Sequence, residues 1–199
     1  MFTGIIAAKG RIMEIKREGS GKRLVIYMDK EIELEEGDSI AIDGACITVE
    51  RVRGRKFEVF LSKETLENTK FNKVSKKNYP VNLELSLKPS DKMGGHFVTG
   101  HVDSVGRIKG IKKAKGEVKL EVEFDKKFEK YLYPKASIAI DGISFTLQER
   151  NNNIGFFTIV PYTYRNTTIS LKKKGDLVNI EFDVLAKIVE NLIKGGRVK

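Results

Sequence analysis

The sequence predicts an all-β protein: two similar six-stranded antiparallel Greek-key barrels followed by a C-terminal helix. Three observations predict it. Ser39-Ile40-Ala41-Ile42-Asp43-Gly44 recurs unchanged as Ser137-Ile138-Ala139-Ile140-Asp141-Gly142, 98 positions later. Both halves are dominated by short, mostly alternating apolar and polar segments separated by glycine or charged turns. Only the last segment changes to three- and four-residue steps, the period of a helix.

The repeat sets the organisation. Cys46-Ile47-Thr48-Val49 is echoed by Ser144-Phe145-Thr146-Leu147, and Gly10-Arg11-Ile12 by Gly106-Arg107-Ile108. Asn68-Thr69 returns as Asn166-Thr167, and Val81-Asn82-Leu83-Glu84 as Val178-Asn179-Ile180-Glu181. The separation drifts only between 96 and 98, so the order of unlike motifs is kept while loops change length. Two units of one fold follow. We expect a first barrel over 1–88, an interbarrel segment over 89–96, a second barrel over 97–184 and a terminal helix and tail over 185–199.

Within the first half, 24–28, 39–42 and 56–61 read as strands. Residues 118–124, 137–140 and 156–160 repeat them. Gly37-Asp38, Asp43-Gly44, Gly54 and Gly175-Asp176 mark sharp turns. About six strands in fewer than a hundred residues are best satisfied by a closed or nearly closed barrel, which leaves no free edge. Short helical turns are expected at 31–36 and 126–133. In the last segment Val184, Leu185, Ile188, Val189, Leu192 and Ile193 form one apolar stripe, with Lys187, Glu190 and Asn191 on the wetter side. Gly195 and Gly196 mark its end. The stripe can pack on its own barrel or against copies from other subunits.

Composition narrows the function classes. The 199 residues are 40% hydrophobic and 32% charged, an ordinary globular balance that needs no disulfide or metal for stability. The single cysteine, Cys46, cannot form an internal disulfide and favours a reducing compartment. No apolar run is long enough to cross a bilayer, and the start lacks the form of a signal peptide, so a cytoplasmic protein with no membrane partner is expected. The net charge of +10 is dispersed among acidic neighbours, as in Glu14-Ile15-Lys16-Arg17-Glu18. A charged surface explains it better than a nucleic-acid site. Two histidines and one cysteine make a clustered metal site a poor expectation.

Three features carry a family resemblance: the start Met1-Phe2-Thr3-Gly4-Ile5-Ile6, the central Gly94-Gly95-His96-Phe97-Val98-Thr99-Gly100-His101-Val102-Asp103, and the duplicated Asp-Gly motifs. With Lys63-Glu64-Thr65-Leu66 and the final helix, they resemble bacterial-type riboflavin synthases over nearly the whole chain. The non-catalytic lumazine proteins are similar too and supply the alternative, a lumazine- or flavin-binding protein without turnover. The resemblance implies two barrels, each binding one 6,7-dimethyl-8-ribityllumazine. Four-carbon transfer between the two molecules gives riboflavin and 5-amino-6-(D-ribitylamino)uracil, without a cofactor. It further implies a homotrimer held by the C-terminal helices, a reaction between barrels of neighbouring subunits, and an association with lumazine synthase.

The chemistry needs one lumazine methyl to lose a proton and a ring carbon of the other to be attacked, so positioning and proton transfer are the tasks. Ser144 and Thr146, two apart on a strand, face one way. The resemblance sets them beside the ligand of the second barrel, with His101 near the same chemistry. His96 is expected to orient the interbarrel segment. Asp183 matches the family's acidic residue before the final helix and is equally suited to cap it. In the first barrel Cys46 and Thr48 take the equivalent places, the thiol as a contact without a covalent role. Phe2, Thr3 and Gly4 are expected at the substrate interface, together with Lys63, Thr65 and Thr163. One departure stands out: Tyr162 and Tyr164 follow Pro161 where the family has glutamate and leucine, a change that either remodels the rim of the second pocket or lowers catalytic competence; the retained Ser144, Thr146, His101 and Asp183 favour the former.

Overall fold

The alternation expected from the sequence closes each half into a barrel. The computed structural model describes residues 1–114 and 117–195. The first barrel comprises β1 (Ala8–Glu18), β2 (Gly21–Met28), β3 (Ser39–Ile42), β4 (Ala45–Arg53), β5 (Lys56–Leu61) and β6 (Tyr79–Leu85). Its strands pair in the order β1-β2-β5-β4-β3-β6, and β6 returns to β1. The second barrel repeats that order with β7 (Ser104–Ala114), β8 (Glu117–Glu123), β9 (Ser137–Ile140), β10 (Ile143–Asn151), β11 (Ile154–Ile159) and β12 (Leu177–Phe182). All pairings are antiparallel, and placing β2 beside β5 makes the connection a Greek key. Bulges fall at matching places, Ile12/Glu14 and Val49/Arg51 in one barrel, Ile108/Gly110 and Leu147/Glu149 in the other. They supply the bending that closure requires.

The six strand segments expected from the sequence fall on β2, β3, β5, β8, β9 and β11, within three residues at the ends. The barrel interiors are filled by Ile12, Leu24, Ile26, Phe57, Val59 and Leu83 in the first half, and by Ile108, Leu120, Val122, Leu147, Phe157 and Ile180 in the second. Space for a ligand therefore lies outside the barrels.

One expected helical turn is absent. Residues 126–131 form a 3-10 turn capped by Asp125, which accepts from Lys127 N at 3.1 Å. Residues 31–36 have no helix. The position equivalent to Asp125 is Asp29, whose Oδ1 is engaged by Arg11 at 2.8 Å and which caps no turn. Ile32 and Leu34 instead turn inward as on an extended chain. Two short helices, α1 (Lys63–Asn68) and α2 (Pro161–Asn166), lie in equivalent places after β5 and β11. The terminal helix α3 covers Val184–Ile193, as its periodicity indicates. Gly195 follows it with a positive φ, and Gly196 lies outside the described residues.

The two barrels meet through their duplicated motifs. Each Asp-Gly pair is the two-residue turn of a hairpin, with both φ values positive: 44° and 81° at Asp43-Gly44, 48° and 76° at Asp141-Gly142. The turns sit back to back. A Cβ on Gly44 would lie 2.8 Å from Gly142 N, and one on Gly142 would lie 2.7 Å from Gly44 N, so neither position has room for a side chain. Asn82 Nδ2 donates to Asp141 O and Asn179 Nδ2 donates to Asp43 O, each at 2.9 Å. Their amide oxygens accept from Thr168 N and Lys70 N, each at 2.8 Å.

Lys70 breaks this symmetry. Its Nζ lies 2.8 Å from Asp43 and 2.6 Å from Asp141, and Lys172 adds a contact of 2.8 Å to Asp141. Burial pushes both carboxyls up. At Asp141 the ammonium groups of Lys172 and Lys70 outweigh it and hold the pKa below the ordinary value, whereas Asp43 stays above. Such a cluster is costly to break, because the remaining charge has no water to replace its partner. Lys70→Met is expected to destabilise the chain by about 3–5 kcal/mol, and Lys63→Met on exposed α1 by no more than about 0.5 kcal/mol. Urea unfolding of the two variants checks the contrast.

Candidate active site

A buried glutamate clamps the segment leading into each barrel. Glu84 on β6 accepts from Thr3 N at 2.7 Å, Thr3 Oγ1 at 3.1 Å and Gly4 N at 3.0 Å. Glu181 on β12 does the same for Thr99 N at 2.6 Å, Thr99 Oγ1 at 2.7 Å and Gly100 N at 2.9 Å. Burial raises both carboxyl pKa values, and the donated hydrogen bonds oppose that rise by favouring the ionised form.

From these clamps the segments cross to the opposite barrel. Gly4 O accepts from Ser144 N and Gly100 O accepts from Cys46 N, each at 2.9 Å. Both glycines have a positive φ, 79° and 83°. A Cβ would come within 2.7 Å of Ser144 Cβ at Gly4 and within 2.4 Å of Cys46 Cβ at Gly100. Phe2 and Val98, joined by an antiparallel bridge, bury their side chains between the barrels with Ala41 and Ala139.

Two cavities result, one on the outer face of each barrel. The first, of about 410 Å³, is walled by Cys46, Glu64, Thr65, Asn68, Gly100 and His101. The second, of about 360 Å³, is walled by Ser144, Thr146, Gln148, Thr158, Val160 and Thr163. Strand alternation explains the placement. Ala45, Ile47 and Val49 point into the first core while Cys46 and Thr48 point out, and Ile143, Phe145 and Leu147 leave Ser144 and Thr146 outward in the same way. The helices α1 and α2 stand over these strand faces and bring Thr65 and Thr163 to equivalent walls. Both volumes suit a small heterocycle.

The crossing corrects one expectation. His101 lies in the first cavity with Cys46, not beside Ser144. Ser144 is met by His96 instead, with Nδ1 to Oγ at 2.7 Å. The reason is local. His101 follows Gly100, which crosses to Cys46, whereas His96 N donates to Thr3 O at 3.1 Å on the segment that crosses to Ser144. His96 is 9% exposed, and its Nε2 has no hydrogen-bond partner among the described residues. Burial lowers its pKa, against an upward pull from Asp183. Asp183 also caps α3, accepting from Leu185 N at 2.9 Å.

The other candidates divide. Cys46, Thr65 and His101 come together in one cavity, and Ser144, Thr146 and Thr163 in the other. Phe2 is fully buried in the seam, Thr3 is committed to Glu84, and Gly4 acts through its carbonyl. Thr48 is exposed on the outward face of β4, outside the first cavity's wall. Lys63 is exposed on α1, 3.7 Å from Glu67. Glu84 and Glu181 were visible in the repeat as the ends of Val-Asn-x-Glu, but nothing local gave them a role. Asn68 was visible only as part of the repeated Asn-Thr pair, and Glu64 only within the Lys63-Glu64-Thr65-Leu66 stretch.

The two-barrel plan is shared with known proteins. A family profile described as "Lumazine binding domain" matches residues 3–86 and 99–183, one match for each barrel. A riboflavin synthase from Photobacterium phosphoreum is 39% identical over 196 residues, spanning 97% of this chain and 89% of that protein. The chain belongs to the riboflavin synthase family. Another member, from Bacillus subtilis, is 36% identical over 188 residues, covering 94% of this chain and 87% of its own length. Among solved structures, LumP complexed with 6,7-dimethyl-8-(1'-D-ribityl) lumazine superposes with a TM-score of 0.83. That match covers 92% of this chain and 99% of LumP at 24% identity, and it shows that the family fold is shared.

The buried histidine gives a pH signature. Burial makes His96 harder to protonate in the folded chain than in the unfolded one. Its contribution to stability is therefore present above the ordinary value of 6.5 and is lost as the pH falls from there towards the lower folded pKa. Replacing His96 by Gln removes this component, so between about pH 7 and 5 the variant's unfolding free energy should fall less steeply than the parent's. Parallel slopes would show that His96 titrates normally.

Proposed function

We propose that the chain catalyses the riboflavin synthase reaction. Two molecules of 6,7-dimethyl-8-ribityllumazine react by four-carbon transfer to give riboflavin and 5-amino-6-(D-ribitylamino)uracil, with no cofactor. The observation that carries this reading is the pair of equivalent cavities in a chain of this family. A dismutation between two like molecules needs two like pockets, and gene-level duplication of one barrel supplies them. Holding both heterocycles in reacting register replaces a chance encounter with an oriented contact, the largest advantage available without a cofactor.

The residue roles follow from the walls. Ser144, Thr146 and Thr163 hold the ligand of the second barrel, and Cys46, Thr65 and His101 that of the first, with Thr48 and Lys63 at its outer margin. Neutral His96 can take a proton from Ser144 Oγ or return one to it, which suits a hydroxyl that acts during proton transfer. Asp183 pulls the His96 pKa upward against the larger effect of burial, and it anchors α3 at once. Phe2, Thr3 and Gly4 keep the crossing segment in place beside the substrate.

The terminal helix supports an assembly. Its polar side is tied to the second barrel, with Lys187 Nζ 2.9 Å from Asp103 and Glu190 paired with Lys130 and Tyr131. Leu185, Ile188, Val189, Leu192 and Ile193 are left between 51% and 80% exposed. Five such side chains on one face of a short helix are the mark of a contact with other copies. A homotrimer joined by α3, with the first barrel of one subunit facing the second barrel of the next, fits both this face and the paired cavities. A cytoplasmic location accords with the lone cysteine and with the finding that, among the described residues, no helix is long and apolar enough to cross a membrane. Association with lumazine synthase rests on the family resemblance alone, and co-elution of the two proteins tests it.

Purified protein given only the ribityl-lumazine should release riboflavin and the pyrimidinedione in equal amounts. Tight binding without turnover across the pH range would support a binding protein instead. Ser144→Ala should lower kcat by about a hundredfold or more with little change in KM, and an unchanged kcat would remove Ser144 from the chemistry. Ile188→Glu with Leu192→Glu should give monomers of low activity, and a trimer that survives the change would refute the helix interface.

A further inference from the structure

The positive charge of the chain is dispersed except in two places, and the fold brings those two together. The stretch between Glu67 and Glu84 holds four lysines and no acidic residue, and Lys172-Lys173-Lys174 is the longest basic run. A cavity of about 510 Å³ lies between them, where the two barrels meet. Lys73, Ser75, Lys76 and Tyr79, on the loop that enters β6, form one wall. Arg107 on β7 and the Gly175-Asp176 turn that enters β12 form the other. The buried Lys70 borders the inner end. No wall residue is shared with the two cavities on the outer barrel faces.

Charge around this cavity is not neutralised. Lys73, Lys76 and Arg107 form no ion pair with a carboxylate among the described residues. Among the described wall residues the only acid is Asp176, whose Oδ2 accepts from Lys173 N at 2.9 Å. Behind the wall, Lys70 and Lys172 are matched by Asp43 and Asp141, so that cluster adds no net negative charge.

Broken symmetry explains the free guanidinium. In the first barrel the equivalent arginine, Arg11, lies 2.8 Å from Asp29. In the second, the equivalent carboxylate, Asp125, caps the 3-10 turn and pairs with Lys127 at 3.3 Å. Arg107 keeps one hydrogen bond among the described residues, Nη1 donating to Gly175 O at 2.9 Å. That bond steadies the group and leaves other donors of its planar fork for a ligand. The facing loop is held as firmly. Lys22 Nζ donates to Phe71 O and Asn72 O, each at 2.9 Å, and to Val74 O at 3.1 Å, while Asn78 N donates to Ile12 O at 2.8 Å. A fixed hollow with a guanidinium, two ammonium groups and a hydroxyl suits phosphate oxygens, which accept charge-assisted hydrogen bonds from all of them. The hollow shape fits a small anion better than a nucleic-acid strand, whose contacts track an extended basic groove.

We propose that this cavity is a separate ligand site, for a small phosphorylated anion that bridges the two barrels. Each barrel supplies part of the wall, so the bound anion ties one to the other beside the Asp-Gly seam. The site is independent of the lumazine cavities and of the reaction proposed for them.

Calorimetric titration of the full chain with pyrophosphate at fixed ionic strength tests this. The parent should show one saturable site per chain, and pyrophosphate should raise its melting temperature, as a ligand of the folded state does. Arg107→Gln, and Lys73→Gln combined with Lys76→Gln, should each weaken binding about tenfold or more. Lys30→Gln removes an exposed charge outside the cavity wall and should bind as the parent does. An unsaturable parent, parental binding in both cavity variants, or equal weakening in Lys30→Gln would overturn the inference. A duplex oligonucleotide that displaces pyrophosphate and binds more tightly would overturn it too, because the charges would then form a nucleic-acid surface.

Discussion

Two Asp-Gly turns pressed back to back are the constraint on which this structure depends. Each turn needs positive φ at two successive residues, and the approach between Gly44 and Gly142 leaves no space for a Cβ on either. The contact therefore fixes one barrel against the other at a single point. Asn82 and Asn179 then reach across it and satisfy the backbone groups that it buries. Because buried polar groups must find partners inside the protein, this network also sets the angle between the barrels. The paired charges of Lys70, Lys172, Asp43 and Asp141 stand at its centre.

From that fixed seam the rest follows. Phe2 and Val98 fill the apolar part of the junction, so the segments carrying them cannot stay on their own barrels. Glu84 and Glu181 hold each segment at its base, and Gly4 and Gly100 let it come to backbone contact with the opposite strand. Each cavity is thus walled by one barrel and bordered by the opening segment of the other. That exchange puts His96 on Ser144 and His101 beside Cys46. Duplication provides two pockets of one design.

The fold was largely legible because its information is local. Alternation marks the strands, Asp-Gly marks the hairpins, and an exact repeat shows that whatever one half forms the other forms too. The 3-10 turn after β8 forms where a short helical turn was expected, whereas its counterpart at 31–36 stays extended with Leu34 turned into the core. The short helices α1 and α2 have too few residues for a period to register. In the site, Cys46, Thr65, Ser144, Thr146 and Thr163 could be paired through the repeat and the family resemblance. The partner of Ser144 could not, since the crossing that selects His96 over His101 is set by contacts more than forty residues apart. Lys70 gave no signal at all: its equivalent, Thr168, is an ordinary threonine, and only the closed seam reveals why a lysine is buried there.

A ligand-bound crystal structure of the assembled protein tests the central claim, that two cavities on the outer faces of the barrels hold two lumazines for one reaction. The account predicts one ring against Cys46, Thr65 and His101 and a second against Ser144, Thr146 and Thr163. The two belong to adjoining subunits, with reacting atoms brought to about 3–3.5 Å. Density for a single ligand in each reaction centre, or for a ligand inside a barrel in place of its core, would contradict it.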